Sequence, residues 1–345
     1  MSFLPADRVF VIAEAGVTNY GDVELAHRQV DAAADAACDA VKFQSWSTAD
    51  LVSRPVAKRL EGELGRDWYS RLEERELTRD DLREVRDHAH DRGLVFLATA
   101  HDSASVGFLV EGLDVPWLKI GSGEASNLRF LREVGSAGRP VLIAFGLSSD
   151  EEAVRAVETL RQSGAPEVIA LHTVSIYPTP APLARLDRIG RLRELLGVPI
   201  GISDHTVGWH VPLAAVALGA CAIEKHLTFD KADPRSLDNP GALEPAELAE
   251  LVRQVREVEA ALLPVADQDY EAAVADSRDW ALQAVVAARS LEAGTTLAEA
   301  DLAFKRPARG GIPACEADSL LGRTLRRPVE ADEQIRPDDL LSTRE

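Results

Sequence analysis

Two histidines in this chain have a spacing that could bind a metal. His205 lies shortly after the apolar run 198–202, and His226 lies shortly after the apolar run 221–223, with a helix-length segment at 211–218 between the runs. A strand, a helix and a second strand at this spacing form a right-handed crossover, so the strands run parallel and their carboxyl ends meet at one edge. Because neutral imidazole is a common ligand of divalent metals, we predict that His205 and His226 hold one metal ion. The alternative is that each histidine only caps its strand through a hydrogen bond.

Two lysines indicate a site for an anion at the same edge. Lys42 belongs to the apolar run 40–43, and Lys119 lies in the run 117–120 and precedes the turn Gly121-Ser122-Gly123. Paired glycines allow backbone N–H groups to converge on a phosphate or carboxylate. An ordinary tight turn is the alternative for the glycines, but with the lysines nearby we expect this turn to help bind a phosphorylated, carboxylated ligand.

The elements that must position these residues alternate regularly. Strands are predicted at 9–13, 40–43, 94–98, 117–120, 141–145, 168–172, 198–202 and 221–223, and helices at 23–37, 78–92, 103–112, 128–137, 151–163, 186–196, 211–218 and 245–262. Eight such units in roughly 260 residues predict an α/β fold, a closed (β/α)8 TIM barrel with its chemistry at the strand carboxyl ends. An open doubly wound sheet is the alternative. The long connection 45–77 is expected to carry function or small structure of its own.

A barrel enzyme should concentrate polar residues after its strands, and this chain does so. Only the fifth strand end, AFGLSS, is poor in reactive side chains. The strand-end residues are Glu14; Lys42 and Gln44; Thr99 and His101; Lys119, Ser122 and Glu124; Ser148; His172, Ser175 and Tyr177; Ser203, Asp204 and His205; Glu224, Lys225 and His226.

The C-terminal part reads as a second, smaller domain. We predict a barrel domain at 1–265, an acidic linker at 266–281 and a compact module at 282–345 with short segments at 284–287, 301–305 and 320–327. That module is locally rich in lysine and arginine and is too small for a large core.

Composition restricts the function classes. The formal net charge of −19 argues against binding nucleic acid or an anionic membrane. No apolar run reaches the roughly 18 residues of a membrane span, and the start MSFLPADR lacks a secretory pattern, so we expect a cytoplasmic protein. Cys38, Cys221 and Cys315 have no paired metal spacing and are expected to be reduced thiols.

A string of motifs resembles the N-acetylneuraminate (sialic acid) synthase family, which includes the legionaminic and pseudaminic acid synthases. The motifs are IAEAG with a following YGD, DAVKFQ, FLATAHD, KIGSGE, HTVSIYPTP, GISDHT, EKHLTFD and LEPAEL. The tail RSLEAGTTLAEADLAFKRPARGGIP is similar to the C-terminal antifreeze-like (SAF) module of that family.

The resemblance implies a metal-dependent condensation of phosphoenolpyruvate with an N-acetylated hexose, such as N-acetylmannosamine, to a nonulosonic acid and phosphate. By this similarity His205 and His226 hold a manganese or magnesium ion, and Glu14 or Glu124 is the general acid or base. Arg306 of the SAF module would close the site of a dimer mate in a domain-swapped homodimer. The sugar-binding residues implied are Gln44, Asp238 and Arg306. The phosphoenolpyruvate-binding residues implied are Lys42, Thr99, Lys119, Ser122, Ser175, Tyr177 and Ser203.

Three departures from the family pattern bear on the substrate. The usual NHNG is replaced by residues 18–21, TNYG; the usual STG by residues 144–146, AFG; and the loop around Asp238 is altered. The missing serine at position 144 predicts the loss of one phosphate contact. An acceptor that is a different aldehyde sugar or a sugar phosphate therefore stays open, as does a non-catalytic carbohydrate-binding homologue.

Overall fold

A computed structural model describes residues 4–5, 7–64 and 68–342, and these form two compact units, Met1–Leu262 and Leu263–Glu345. The first unit is a closed barrel of eight parallel strands in sequence order, which confirms the predicted fold class. The strands are β1 Phe10–Glu14, β2 Ala40–Ser45, β3 Val95–Ala100, β4 Leu118–Ile120, β5 Val141–Ala144, β6 Val168–Thr173, β7 Ile200–Asp204 and β8 Ala222–His226.

Helices surround the barrel. The long connection after β2 contains three of them, α2 to α4, so this stretch does carry structure of its own. The helices of the first unit are α1 Val23–Asp35, α2 Thr48–Leu51, α3 Arg54–Leu64, α4 Trp68–Glu73, α5 Arg79–Asp91, α6 Ser103–Gly107, α7 Leu128–Ser136, α8 Asp150–Gln162, α9 Asp187–Leu196, α10 His210–Ala217 and α11 Pro245–Leu262. A π-helical turn, Phe108–Gly112, extends α6.

Local sequence explains where several helices begin. Ser149 caps α8 by accepting a hydrogen bond from the backbone N–H of Glu152, and the Glu152 carboxylate accepts from the N–H of Ser149. Thr78 and Asp81 form the same reciprocal arrangement at the start of α5. Each capping box satisfies two backbone donors that a helix start leaves unpaired, so these starts are fixed by short-range chemistry.

Alternation along the strands divides the barrel into two cores. Residues pointing outward pack against the helices, whereas inward apolar residues, such as Phe10, Leu97 and Leu171, fill the barrel interior. Side chains of a strand alternate between faces, so the next inward positions lie higher, at the open end. The inward apolar residues therefore form a floor under any site at the strand carboxyl ends.

The second unit contains a two-stranded antiparallel sheet of β9 Ala284–Ala287 and β10 Leu302–Lys305 over a small core that includes Val285, Leu297 and Leu325. The predicted segment at 320–327 is not a regular strand; it joins the unit through isolated bridges at Thr324 and Leu325. The stretch 266–281, predicted as a linker, contains helix α12 Asp267–Ala281, none of whose residues is buried.

In the part of the chain that the structure describes, no helix is both long enough and apolar enough to cross a membrane.

Candidate functional site

The site is built from the upper inward positions of the strands. In β8, Ala222 belongs to the apolar floor, and Glu224 and His226 follow at steps of two on the same face. In β1 and β2 the register pairs Glu14 with Lys42, two residues above the pairing of Ile12 with Ala40. The period of two therefore places a polar layer directly on top of an apolar one.

The histidine clusters lie partly inside the strands rather than after them. Strand β7 extends to Asp204 and β8 to His226, beyond the apolar runs that predicted them. Asp204 and Lys225 point away from the site, since Lys225 Nζ lies 2.6 Å from Asp204 Oδ2 and both residues are buried. Asp204 belongs to the strand-end residues and precedes His205 in the sequence, yet it faces Lys225 rather than the cavity that the histidines line.

Two lysines and two glutamates form a buried charge cluster at the centre. Lys42 Nζ lies 2.5 Å from Glu14 Oε2 and 3.6 Å from Glu224 Oε2. Lys119 Nζ lies 3.6 Å from the same Glu224 oxygen, and Lys42 also donates to Thr99 Oγ1 at 2.9 Å. All four charged side chains are almost completely buried. Buried lysines and glutamates must form ion pairs, because an isolated charge in a buried position would strongly destabilise the fold.

The two glutamates of this cluster titrate in opposite directions. Burial raises the pKa of Glu14 to about 7, against the lowering effect of Lys42. Burial would also raise the pKa of Glu224, but Lys119 and Lys42 outweigh it and lower that pKa to about 2. Two like groups whose surroundings separate their pKa values are the usual mark of an acid or base beside a fixed anion. Glu14 is thus suited to carry a proton, and Glu224 to stay ionised between the lysines.

The glycine turn after β4 lies at one end of the site. Ser122 Oγ accepts a hydrogen bond from the backbone N–H of Gly146 at 2.9 Å, which joins the turn to the loop after β5. A Cβ on Gly146 would come within contact distance of Ser175, Thr173 and Ser122. This end therefore combines hydroxyl groups and a backbone amide beside Lys119, as expected for a phosphate site. Ala144, where the serine is missing, lines the same cavity.

The two histidines predicted to bind metal lie side by side. The ring centroids of His205 and His226 are 5.3 Å apart, and the Tyr177 ring centroid lies 4.1 Å from that of His205. Burial lowers the pKa of His205 to about 4 and also lowers that of His226, so both imidazoles are neutral near pH 7. His205 Nδ1 lies 2.8 Å from the carbonyl oxygen of Val174, a partner that orients a ligating imidazole in many metal sites.

Two neutral imidazoles this close together could supply two ligands of a divalent ion. Within the part of the chain that the structure describes, no group of three or more His, Cys, Asp or Glu side chains is arranged to hold a metal. The chain offers two neutral nitrogens, and oxygens of a substrate or of water would complete the coordination. The neighbouring Asp238 lies near His226, with 3.6 Å between Asp238 Oδ2 and His226 Nδ1.

The opposite end of the site carries the residues predicted to bind sugar. Gln44 Nε2 donates to Glu14 Oε1 at 3.1 Å, so Gln44 and Glu14 lie together. Two of the three segments that depart from the family pattern, 18–21 and the loop around Asp238, contact each other, because Asn239 Nδ2 donates to Tyr20 Oη at 2.8 Å. This bond fixes the loop that carries Asp238. The two departures are therefore structurally coupled at the acceptor end.

These groups surround one cavity of about 440 Å³. Its lining includes every residue predicted for the site except Lys119 and Arg306. Lys119 lies behind the lining residue Glu224, 3.6 Å from its Oε2, and Arg306 lies in the second unit just after β10. The roles assigned to all of these residues stay predictions. The helices after β2 add an apolar wall to it. That wall consists of Leu51, Val52, Trp68 and Leu72.

Sequence reasoning gave no role to two residues at the centre of the geometry. Glu224 anchors both lysines, and its position two residues before His226 on a strand was the signal that it faces the same way. His101 lies 3.1 Å from Glu124 and lines the cavity two residues after Thr99. Both had been recognised only as members of the strand-end set.

Comparisons with known proteins agree with this geometry. The NeuB family model matches residues 29–265, and the SAF domain model matches residues 283–341. The N,N'-diacetyllegionaminic acid synthase of Campylobacter jejuni is 33% identical over 95% of this chain and 99% of its own length. The human N-acetylneuraminate-9-phosphate synthase is 32% identical over 94% of this chain and 91% of its own.

Among solved structures, the N-acetylneuraminic acid synthetase of Leptospira borgpetersenii, in complex with citrate, superposes with a TM-score of 0.67 at 32% identity. The match covers 78% of this chain and 92% of that one. With the barrel, the strand-end cavity and the C-terminal module in agreement, this chain belongs to the NeuB family of sialic-acid-synthase-like enzymes and ends in an SAF domain.

Proposed function

We propose that this enzyme condenses phosphoenolpyruvate with the aldehyde of an N-acetylated hexose, in a reaction that depends on manganese or magnesium, to give a nonulosonic acid and phosphate. The observation that supports this most strongly is that one cavity is lined by two neutral, adjacent imidazoles, by Lys42 and by Glu224, which also holds the buried Lys119. Relatives named as sialic and legionaminic acid synthases support the same reaction class.

Phosphoenolpyruvate fits the end of the cavity where the cations lie. Lys42 and Lys119 supply positive charge, and the hydroxyls of Ser122 and Ser175 with the turn after Lys119 supply donors for phosphate. Glu224 holds the lysines in place before the substrate arrives, through its two contacts of 3.6 Å. Preorganised charge of this kind stabilises a developing anion without rearrangement during the reaction.

The acceptor sugar fits the end that holds His205, His226, Gln44 and Asp238. A divalent ion bound by the two histidines would polarise the aldehyde oxygen as a Lewis acid and orient the open-chain sugar. Glu14 lies between this end and the lysines, 2.5 Å from Lys42 and 3.1 Å from Gln44. It is therefore placed to donate a proton to the aldehyde oxygen as the new bond forms.

The steps balance with the groups present. Carbon 3 of the enol attacks the aldehyde carbon, and the aldehyde oxygen takes the proton of Glu14, leaving a cationic carbon 2. Water adds there and transfers a proton to Glu124, which lines the same cavity. The bond from carbon 2 to the phosphate oxygen then breaks, the phosphate takes the proton from Glu124, and the hydroxyl on carbon 2 gives its proton to solvent as it becomes the ketone. Solvent returns a proton to Glu14.

Release of phosphate tests the proposal directly. The purified enzyme with phosphoenolpyruvate and manganese should release phosphate with at least one of N-acetylmannosamine, its 6-phosphate and diacetamido hexoses. Removal of metal by a chelator should abolish the release, and added manganese should restore it. A Lys119→Met variant should lose the activity, since it loses a cation at the phosphate end.

Two outcomes would favour the alternatives. Turnover with only a non-acetylated aldehyde would keep the chemistry and replace the acceptor. No turnover with any sugar, together with no rise in thermal midpoint on adding manganese and phosphoenolpyruvate, would favour a non-catalytic carbohydrate-binding protein, because a ligand of the native state must raise the apparent stability.

The swapped homodimer, the closing role of Arg306 and a cytoplasmic location also stay predictions. They rest on the family resemblance and on the sequence.

A further inference from the structure

His101 and Glu124 form a hydrogen-bonded pair in the wall of the cavity. His101 Nδ1 lies 3.1 Å from Glu124 Oε1, and both side chains are about 15% exposed. A carboxylate can only accept, so the shared proton belongs to His101 Nδ1. The pair is therefore an imidazole N–H donating to a carboxylate, the arrangement by which one side chain fixes the orientation of another.

The other Glu124 oxygen faces the glycine turn. Glu124 Oε2 is buried and has no hydrogen-bond partner among the described residues. It would lie 2.7 Å from a Cβ on Gly121, and His101 Cε1 would lie 3.7 Å from the same point. Gly121 and Thr99 border this spot, at the end of the cavity where the phosphate of phosphoenolpyruvate is proposed to bind. An unpaired buried oxygen is costly and calls for a functional explanation.

We propose that His101 is a positioning residue for Glu124. Its Nδ1–H fixes Glu124 Oε1, so that Oε2 faces the reactants and takes the proton of the attacking water. This inference rests on the proposed function, in which Glu14 serves the aldehyde end and Glu124 the phosphoenolpyruvate end, and adds the residue that orients Glu124.

The surroundings of His101 support a fixed ring. The Trp46 ring meets it edge-on at 6.3 Å between centroids, and the Gly121 backbone lies against its Cε1 side. His101 Nε2 is buried without a partner among the described residues, so Nδ1 makes the one side-chain hydrogen bond seen for this ring. A ring held in this way restricts the carboxylate to one orientation, and correct orientation is a large part of proton-transfer catalysis.

The substitutions His101→Asn and His101→Gln distinguish the role of Nδ1 from that of Nε2. The amide nitrogen of asparagine occupies about the position of Nδ1, whereas the longer side chain of glutamine places its amide nearer to Nε2. His101→Asn should therefore keep most of the phosphate-release activity, and His101→Gln and His101→Phe should lower kcat by about tenfold or more with little change in KM for phosphoenolpyruvate. Glu124→Gln should lower kcat by about 10²–10⁴, the range of general acid–base catalysis.

The double variant decides whether the two residues act as one. If His101 acts only through Glu124, His101→Phe should cost nothing further in the Glu124→Gln background. Losses that multiply in the double variant would overturn the proposal, as would a His101→Asn enzyme as slow as His101→Phe, or a His101→Phe enzyme with the wild-type kcat.

A second measurement does not depend on turnover. In ¹⁵N-histidine NMR, the His101 ring should be the Nδ1–H tautomer in the wild-type enzyme, and its signal should shift in Glu124→Gln. An Nε2–H tautomer would overturn the proposal even if no acceptor sugar supports turnover. Absence of phosphate release with the Nδ1–H tautomer present would instead count against the proposed reaction and leave the pairing supported.

Discussion

At the scale of single residues, the central feature is that identical side chains acquire different chemistry. Glu14 and Glu224 contact the same Lys42, yet burial dominates at Glu14 and two lysines dominate at Glu224. The cluster holds two cations and two carboxylates, so an ionised Glu224 and two charged lysines leave Glu14 free to exchange a proton near neutral pH. This supports the proposal that Glu14, rather than Glu124, is the acid at the sugar end, a choice that residue type alone left open.

The pH profile should report this acid. Burial raises the pKa of Glu14 to about 7, so its carboxyl holds a proton below that pH and loses it above. Because the proposed step needs the protonated form, kcat/KM should fall as the pH rises through about 7. Glu14→Gln should be slower by about 10²–10⁴ and should lose this limb of the profile.

A matched control is Glu158→Gln, which changes an exposed carboxylate on α8. It should keep both the rate and the profile. If kcat/KM of the Glu14→Gln enzyme still falls as the pH rises through about 7, another group controls the decrease of activity at high pH.

At the scale of elements, strand alternation decides which residues reach the cavity. In β8, Glu224 and His226 face the barrel interior, and Lys225 between them faces outward to Asp204. Strand β5 ends at Ala144, which carries no reactive side chain, but the loop after β5 brings the backbone N–H of Gly146 to Ser122. The serine hydroxyl that the family pattern has at position 144 is absent here, but the Gly146 N–H lies at the same end of the cavity.

Gly146→Ala tests the role of this loop. Its Cβ would lie 2.7 Å from Thr173 Cγ2 and 2.9 Å from Ser122 Oγ, so the phosphate end would have to shift. Overpacking of this kind costs about 1–3 kcal/mol, and we expect it to appear as a raised KM for phosphoenolpyruvate in steady-state kinetics.

Gly190→Ala is the control, because a Cβ there meets nothing within 4 Å and the position lies inside α9. It should keep the wild-type KM and raise the thermal midpoint slightly, since alanine favours a helix over glycine by about 0.8–1.0 kcal/mol. An unchanged KM in Gly146→Ala would argue against a role for this loop in binding phosphoenolpyruvate.

At the scale of the whole molecule, two units with separate cores make up the chain. The barrel unit holds all the predicted site residues except Arg306, which belongs to the SAF unit. If the SAF unit closes the site of a partner subunit, each active site needs residues from two chains. That arrangement predicts complementation between two variants that are each inactive.

Lys119→Met damages the barrel, and Arg306→Ala damages the SAF unit. The two variants are co-expressed with different tags. In a swapped heterodimer, one of the two sites has an intact barrel and an intact SAF unit. Random pairing makes about half of the dimers heterodimers, so about a quarter of the wild-type activity should return. Without swapping, no site in the mixture is intact and no activity should return. Arg309→Ala, at a neighbouring exposed arginine, is the control and should stay active alone.

The sequence by itself determined the fold class and the edge of the barrel that carries the site. The period of the apolar runs predicted eight strand–helix units, and the polar residues after those runs identified the edge that carries the chemistry, because both signals are local along the chain. Capping boxes such as Ser149 with Glu152 likewise set helix starts from neighbouring residues. The motifs added the family, and the comparisons confirmed it.

Only the tertiary structure decided which of the polar strand-end residues face the cavity and which face away from it. Closure of the barrel placed Lys42, Lys119 and Glu224 in contact although they come from β2, β4 and β8, and no local signal encodes such distances. The extension of β7 and β8 past their apolar runs turned Asp204 outward and Glu224 inward. Burial then separated the pKa values of Glu14 and Glu224, because desolvation and nearby charge depend on the packed surroundings rather than on the order of residues.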